Sequence, residues 1–196
     1  MGLMDPPEEG QTLVSEEEKA GLKIKMITLQ RELDVFELQN IAKARKWVKK
    51  KKVSAVDVLN EAFLKKLHQH MFDDVWKWAG KFRQSEKNIG VPWVRVAREV
   101  KVLCDDAQFW VEHETFPPEE IALRFKHRLV SIHCFPNGNG RHARMMADVL
   151  MEQVFGLAVF SWRAGDLISA TEERKMYIAA LRAADRGDIG PLLDFA

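Results

Sequence analysis

The stretch Ser131-Ile-His-Cys-Phe-Pro-Asn-Gly-Asn-Gly-Arg-His-Ala-Arg144 is the tightest constraint on how this chain can fold. Upstream, Pro117-Pro-Glu-Glu120 suits a helix start, because proline fits the first turn and acids suit its positive end. Ile121, Phe125, Leu129 and Ile132 then recur at helical spacing, and Pro136-Asn-Gly138 stops the run. Met145, Met146, Val149, Leu150 and Val154 form a second apolar pattern of the same period. The fold must therefore join a helix end to a helix start through one short loop, with Gly138-Asn-Gly140 at the new start.

That arrangement has a chemical use. Glycines let backbone approach a ligand, and the free N–H groups of a helix start favour an anion. Arg141 and Arg144 lie three apart, on one face of the second helix, and both could reach phosphate oxygens. His133, on the far side of the loop, can accept a proton near neutral pH. A base, a phosphate cradle and two arginines in one loop point to phosphoryl or nucleotidyl transfer. Two other glycine motifs fail. Gly138-Asn-Gly140-Arg-His-Ala143 fits GxGxxA, but a helix precedes it where a dinucleotide site needs a strand. A P-loop would need Gly-Lys-Ser/Thr.

The span His133 to Arg144 resembles the signature loop of the Fic family, HxFx(D/E/N)GNGRxxR. Trp78-Ala-Gly-Lys-Phe-Arg83 resembles the segment before that family's flap, and Tyr177 to Asp188 resembles its closing helix. Within the family the chain looks closest to the subgroup called mobile mystery protein B. The resemblance implies a mainly α, Fic-type helical domain with a small β-hairpin flap, and AMP transfer from ATP to a protein Ser, Thr or Tyr hydroxyl. His133 would be the general base. Gly138, Asn139 and Gly140 would cradle the α- and β-phosphates, Arg141 would hold the β-phosphate, and Arg144 the γ-phosphate. Asn88, Ile89, Gly90 and Val91 would form the flap that docks the target.

Two positions depart from the family pattern. Asn137 stands where many members carry an acid for Mg²⁺, and an amide oxygen is a weak, uncharged ligand for a hard cation. Cys134 stands where many carry proline. The resemblance also implies inhibition by a glutamate in (S/T)xxxE(G/N), paired with the second arginine. Thr28-Leu-Gln-Arg-Glu32-Leu33 matches all but the last position, so Glu32 is the in-chain candidate. The alternative inhibitor is a separate protein, such as the helix-turn-helix companion the subgroup implies. The competing functions are an ATP-binding regulatory module with little turnover and a Fic enzyme that transfers another phosphate-containing group.

The rest of the chain sets the frame. A length of 196 residues with 46% apolar content suits one domain with a real core. Two cysteines without CxxC argue against a disulfide or zinc framework. The acidic, proline-bearing start is no signal peptide, and no apolar run approaches the ~20 residues of a spanning helix. A cytoplasmic protein without a membrane partner is expected. Residues 1–27 read as a tail and 28–196 as the domain. Lys43 to Lys52 carries seven basic residues, read as a solvated helix end, so nucleic acid is not an expected partner. Further helices are expected to about Trp47 and Val48, from Ser54 to Phe72, from Arg95 to His113 and from Glu172 to Arg186. His68 and His70 are read as surface residues. Phe82 to Val94, with short β-type runs around a glycine, reads as a hairpin or an irregular loop between helices, and Pro191 as the end of regular structure.

Overall fold

Apolar residues at three- and four-residue spacing dictate helices, and the computed structural model describes residues 16–162 and 172–196. Of the tail expected over residues 1–27, residues 1–15 lie outside the described residues. In chain order the helices are α1 (Glu16–Lys19), α2 (Gln30–Lys49), α3 (Ala55–Val58), α4 (Glu61–Phe72), α5 (Val96–Glu112), α6 (Pro118–Ile132), α7 (Asn139–Val149), α8 (Glu172–Asp185) and α9 (Gly190–Phe195). A 3-10 turn, Trp93–Arg95, leads into α5, and α7 runs on as a π-helical segment, Leu150–Val154.

The core lies between α2, α4, α5, α6 and α7. Leu64, Leu67, Met71 and Phe72 of α4 meet Val100, Leu103 and Ala107 of α5, and Ala122, Phe125 and Leu129 of α6. Ala143, Met146 and Ala147 of α7 close it. Each fully buried Leu, Met or Phe contributes about 1.5–3 kcal/mol, so this shared core is what fixes the two helices around the signature loop. A smaller cluster, Leu123, Tyr177, Ala180, Ala184, Leu192 and Phe195, seats α8 and α9 on α6.

Polar groups add register. Asn40 of α2 donates from Nδ2 to the His70 carbonyl at 2.9 Å and accepts the Asp74 N–H at 2.9 Å. That pair ties the middle of α2 to the end of α4. The segment before α2 also lies on the body. Leu22 forms an isolated antiparallel bridge with Trp76, flanked by Lys23 N–H to Val75 O (2.8 Å) and Lys77 N–H to Gly21 O (2.9 Å). Ile27 is buried.

Three expectations are corrected. The helix expected over Ser54–Phe72 is broken, because Asn60 turns out of it and caps α4 by accepting the Phe63 N–H at 2.9 Å. Pro191 does not end regular structure: it occupies the first turn of α9, where its missing N–H has no intrahelical partner to lose. The β-hairpin flap has no strands; among the described residues Leu22–Trp76 is the isolated bridge and residues 82–92 run as extended and bent chain. Among the described residues, no helix is long and apolar enough to cross a membrane.

Candidate active site

The signature loop is built from inside. Phe135 is fully buried and stacks on the imidazole of His68, 3.7 Å between ring centroids. Asn139 then closes the loop with its amide: Oδ1 accepts the Phe135 N–H at 2.9 Å and Nδ2 donates to the Phe135 carbonyl at 2.8 Å. Its side chain is thus a staple, and only its backbone faces the expected cradle. His68, expected on the surface, is buried because the helix face that carries it packs on Phe72, Trp78 and Phe135. Its Nδ1 accepts the Gly80 N–H (3.0 Å), so its Nε2–H donates to the Asn137 carbonyl (3.1 Å). Those partners assign a neutral ring, and burial pushes its pKa well down, with His142 adding to the effect.

Gly138 adopts φ +76°, and a Cβ there would sit 2.6 Å from the Phe72 ring. Gly140 is different. A Cβ on it would meet nothing within 4 Å, so the start of α7 opens onto free space. The N–H groups of a helix's first turn have no intrahelical partner, which suits that start to an anion.

The two arginines leave α7 toward different supports. Arg141 places Nη1 2.5 Å from Glu37 Oε2 of α2, with its guanidinium 5.0 Å from the Phe72 ring centroid. Arg144 lies 5.6 Å from the centroid of Tyr177, and the Lys126 ammonium lies 4.3 Å from the same ring. Lys126 is fully buried, and burial lowers its pKa. Burial pushes the Tyr177 phenol up, but Lys126 and Arg144 outweigh it and hold the phenol below its ordinary value. One arginine is thus backed by a carboxylate and the other by a second cation.

His133 ends α6 in the left-handed region, φ +54°, which turns the chain into the loop. It is 3% exposed, and burial, then Arg83 and Lys87, push its pKa down to about 4. The ring is therefore neutral at pH 7. Cys134 beside it is fully buried, and burial drives its thiol up, so it offers no thiolate nucleophile.

Arg83 explains why the flap needs no hairpin. Its buried guanidinium donates from Nε to the His133 carbonyl (2.6 Å), from Nη1 to Ser85 O (2.9 Å) and from Nη2 to Val91 O. Arg83 N–H donates to Cys134 O at 3.0 Å and Val91 N–H to Ile132 O at 3.3 Å. The segment is stitched to the loop, through one side chain, instead of to itself. Gly90, φ +101°, crosses so close that a Cβ would sit 2.6 Å from that of His133. Asn88, Ile89 and Gly90 are exposed and Val91 half-buried, so this segment forms an open rim beside His133.

Glu32 lies in the first turn of α2, where its carboxylate accepts the N–H groups of Thr28 and Leu29, both at 3.2 Å. The glutamate brought to the loop is Glu37, and it meets the first arginine, not the second. Glu37, Trp76 and Arg83 were missed in the sequence. Glu37 did leave a signal: it falls on the buried register Leu33, Glu37, Asn40, Ala44, Val48, where a charge needs a partner.

Asn137 does not fit a magnesium ligand as placed. Its Oδ1 accepts the Gly138 N–H at 2.6 Å, and no group of three or more His, Cys, Asp or Glu among the described residues could hold a metal.

The Fic/DOC family model matches residues 58–151, which include the signature loop, the rim and α4 to α7. The chain carries a Fic/DOC domain. It is 25% identical to the protein adenylyltransferase Fic of Drosophila melanogaster over 194 residues, and 24% identical to that of Aedes aegypti. Each alignment covers 95% of this chain and 37% of the relative, so the chain spans just over a third of these proteins' length. Among solved structures, a Fic domain containing signaling protein from Bacteroides thetaiotaomicron matches with TM-score 0.66 at 17% identity, covering 81% of this chain and 66% of that one. An ADP-bound N-terminal Fic domain from Bartonella quintana matches with TM-score 0.64 at 20% identity, covering 87% and 85%. These likenesses place the helical arrangement above within the Fic/DOC fold. Glu37 lies before the span that the family model matches.

Proposed function

We propose that this chain transfers AMP from ATP to a Ser, Thr or Tyr hydroxyl of a protein. The observation that carries the reading is a buried His133, neutral at pH 7, one loop away from a helix start where Gly140 opens onto free space and which carries Arg141 and Arg144. The names of the curated relatives and the ADP in the Bartonella quintana structure support it.

The chemistry assigns each residue a task. A target hydroxyl oxygen attacks the α-phosphorus while His133 takes its proton. The bond from the α-phosphorus to the bridging oxygen breaks, and pyrophosphate leaves with the electron pair. The first turn of α7, at Gly138, Asn139 and Gly140, binds phosphate oxygens through N–H groups. Arg141 binds the β-phosphate and offsets charge on the leaving group; Arg144 binds the γ-phosphate. Magnesium would come with the nucleotide phosphates, since Asn137 is turned to the backbone. The target segment would add to the rim at Asn88, Ile89, Gly90 and Val91 as an extended strand, which aligns its hydroxyl with His133. A companion protein that supplies a carboxylate to Arg144 belongs to the same reading, since no ion pair holds that arginine among the described residues.

The test uses ATP labelled at the α- or the γ-phosphate, incubated with the protein and cell extract. Label carried to protein from the α-position alone supports AMP transfer. Label from the γ-position alone indicates a kinase, and nucleotide binding without transfer indicates a regulatory module.

A further inference from the structure

We propose that Glu37 is a positioning residue: it presets the guanidinium of Arg141 for phosphate, within a cradle completed by Trp76 and Phe72. The inference rests on the proposed transfer for its kinetic arm only.

Both oxygens of Glu37 are committed. Oε1 accepts the Trp76 indole N–H at 2.6 Å, and Oε2 meets Arg141 Nη1 at 2.5 Å. Glu37 is 3% exposed and Trp76 2%, so the carboxylate is anchored in the core and cannot swing away. Phe72 supplies the floor. Its ring lies under the Arg141 guanidinium and also packs on Gly138, so one side chain sets the height of both the loop and the arginine. The cradle draws on three places in the chain: α2, the end of α4 and the segment after it.

The geometry fits positioning better than blockade. A guanidinium carries five N–H donors, and Glu37 engages Nη1. Nε and Nη2 stay available for phosphate oxygens. A fixed donor helps most where charge develops, because it needs no reorganisation as pyrophosphate departs. A buried carboxylate also lowers the local positive potential, which restrains ground-state binding of the polyphosphate. Removing Glu37 should therefore separate affinity from turnover.

Two variants distinguish position from charge. In Glu37→Gln the amide oxygen can keep the Trp76 bond, but its NH₂ then opposes Arg141 as donor against donor. In Glu37→Asp the charge stays, but the shorter side chain cannot span Trp76 and Arg141 together. Both should lower kcat, by up to about 10²-fold for a misplaced group. For Glu37→Gln the KM for ATP should hold or fall, and affinity for AMP, which lacks a β-phosphate, should not change. A folding defect would instead weaken AMP and ATP alike. A rise in kcat in Glu37→Gln would overturn the proposal and make Glu37 an inhibitory contact.

A second readout needs no turnover. The Arg141 Nε–Hε resonance, assigned by its loss in Arg141→Lys, should be sharp in the nucleotide-free wild type, because the ion pair at Nη1 fixes the whole guanidinium. It should broaden in both Glu37 variants. If it is equally mobile in all three proteins, Glu37 does not hold Arg141 and the proposal fails. If the wild type transfers nothing but this difference persists, the transfer reading fails while the positioning role stands.

Discussion

Three imidazoles are buried neutral around the signature loop, so acid should unfold this protein well before its carboxylates titrate. Burial pushes His133 down to about 4 and His142 to about 3, and His68 well below its ordinary value. Their surroundings agree. His142 Nε2 faces the Leu64 carbonyl at 3.1 Å while its Nδ1 is buried without a partner, and both nitrogens of His68 are committed as in a neutral ring. In the unfolded chain all three titrate near 6.5. The sign follows: above pH 6.5 neither state is protonated and nothing is lost, whereas below it the unfolded state binds protons that the folded state refuses. At pH 5 His133 and His142 each cost RT ln(1 + 10^(6.5 − 5)), about 2 kcal/mol, so the two cost about 4 kcal/mol and His68 adds to that in the same direction. That is on the order of the whole stability of a typical domain, about 5–15 kcal/mol. Asp148, raised by burial, acts in the opposite direction, since acid relieves it. Urea unfolding at pH 7, 6 and 5 measures the loss directly, with slopes of stability against pH giving proton uptake. Uptake rising toward two to three protons at pH 5 is expected. A flat profile between pH 7 and 5 would refute the buried-neutral assignment.

Gly140→Ala should leave stability unchanged or raise it by up to about 1 kcal/mol, because the added Cβ meets no protein atom and alanine favours helix. It should still weaken nucleotide binding, and calorimetry showing unchanged affinity would remove the start of α7 as the cradle. Asn137→Asp keeps an acceptor for the Gly138 N–H and adds a charged oxygen, so transfer should need less Mg²⁺. An unchanged Mg²⁺ titration would show that position 137 is no ligand. Glu32→Gly removes the acceptor for the N–H groups of Thr28 and Leu29, just before α2, and adds glycine to a helix, so thermal unfolding should report a loss of about 1 kcal/mol. Higher automodification in that variant would instead mark Glu32 as inhibitory.

The helices were legible because their apolar residues repeat at helical spacing, and the loop because proline and glycines interrupt that spacing between Ile132 and Met145. The proposed base His133 and both arginines fall within twelve residues, so local sequence sufficed to propose them. What supports them was not legible. Glu37 lies about a hundred residues from Arg141, and Arg83 fifty from His133, and no local pattern couples such distant positions. The flap differs for a related reason: short β-type runs around Gly90 suit a hairpin or an irregular loop alike, and Arg83 satisfies the carbonyls of Ser85 and Val91 without a strand pair. His68 was misread because a histidine beside a polar neighbour looks solvated until Phe135 is folded over it.

The most direct test of His133 as the base compares wild type with His133→Ala in two assays, ATP affinity and transfer of α-labelled phosphate to protein. The Arg83 bond reaches the backbone carbonyl of residue 133, so alanine keeps the anchoring of the loop. Loss of a general base costs about 10²–10⁴ in rate, while under the proposed function ATP would contact α7 and its arginines and not the imidazole. Transfer should therefore fall by that factor with ATP affinity nearly unchanged. Transfer retained at the wild-type rate in His133→Ala would contradict the mechanism.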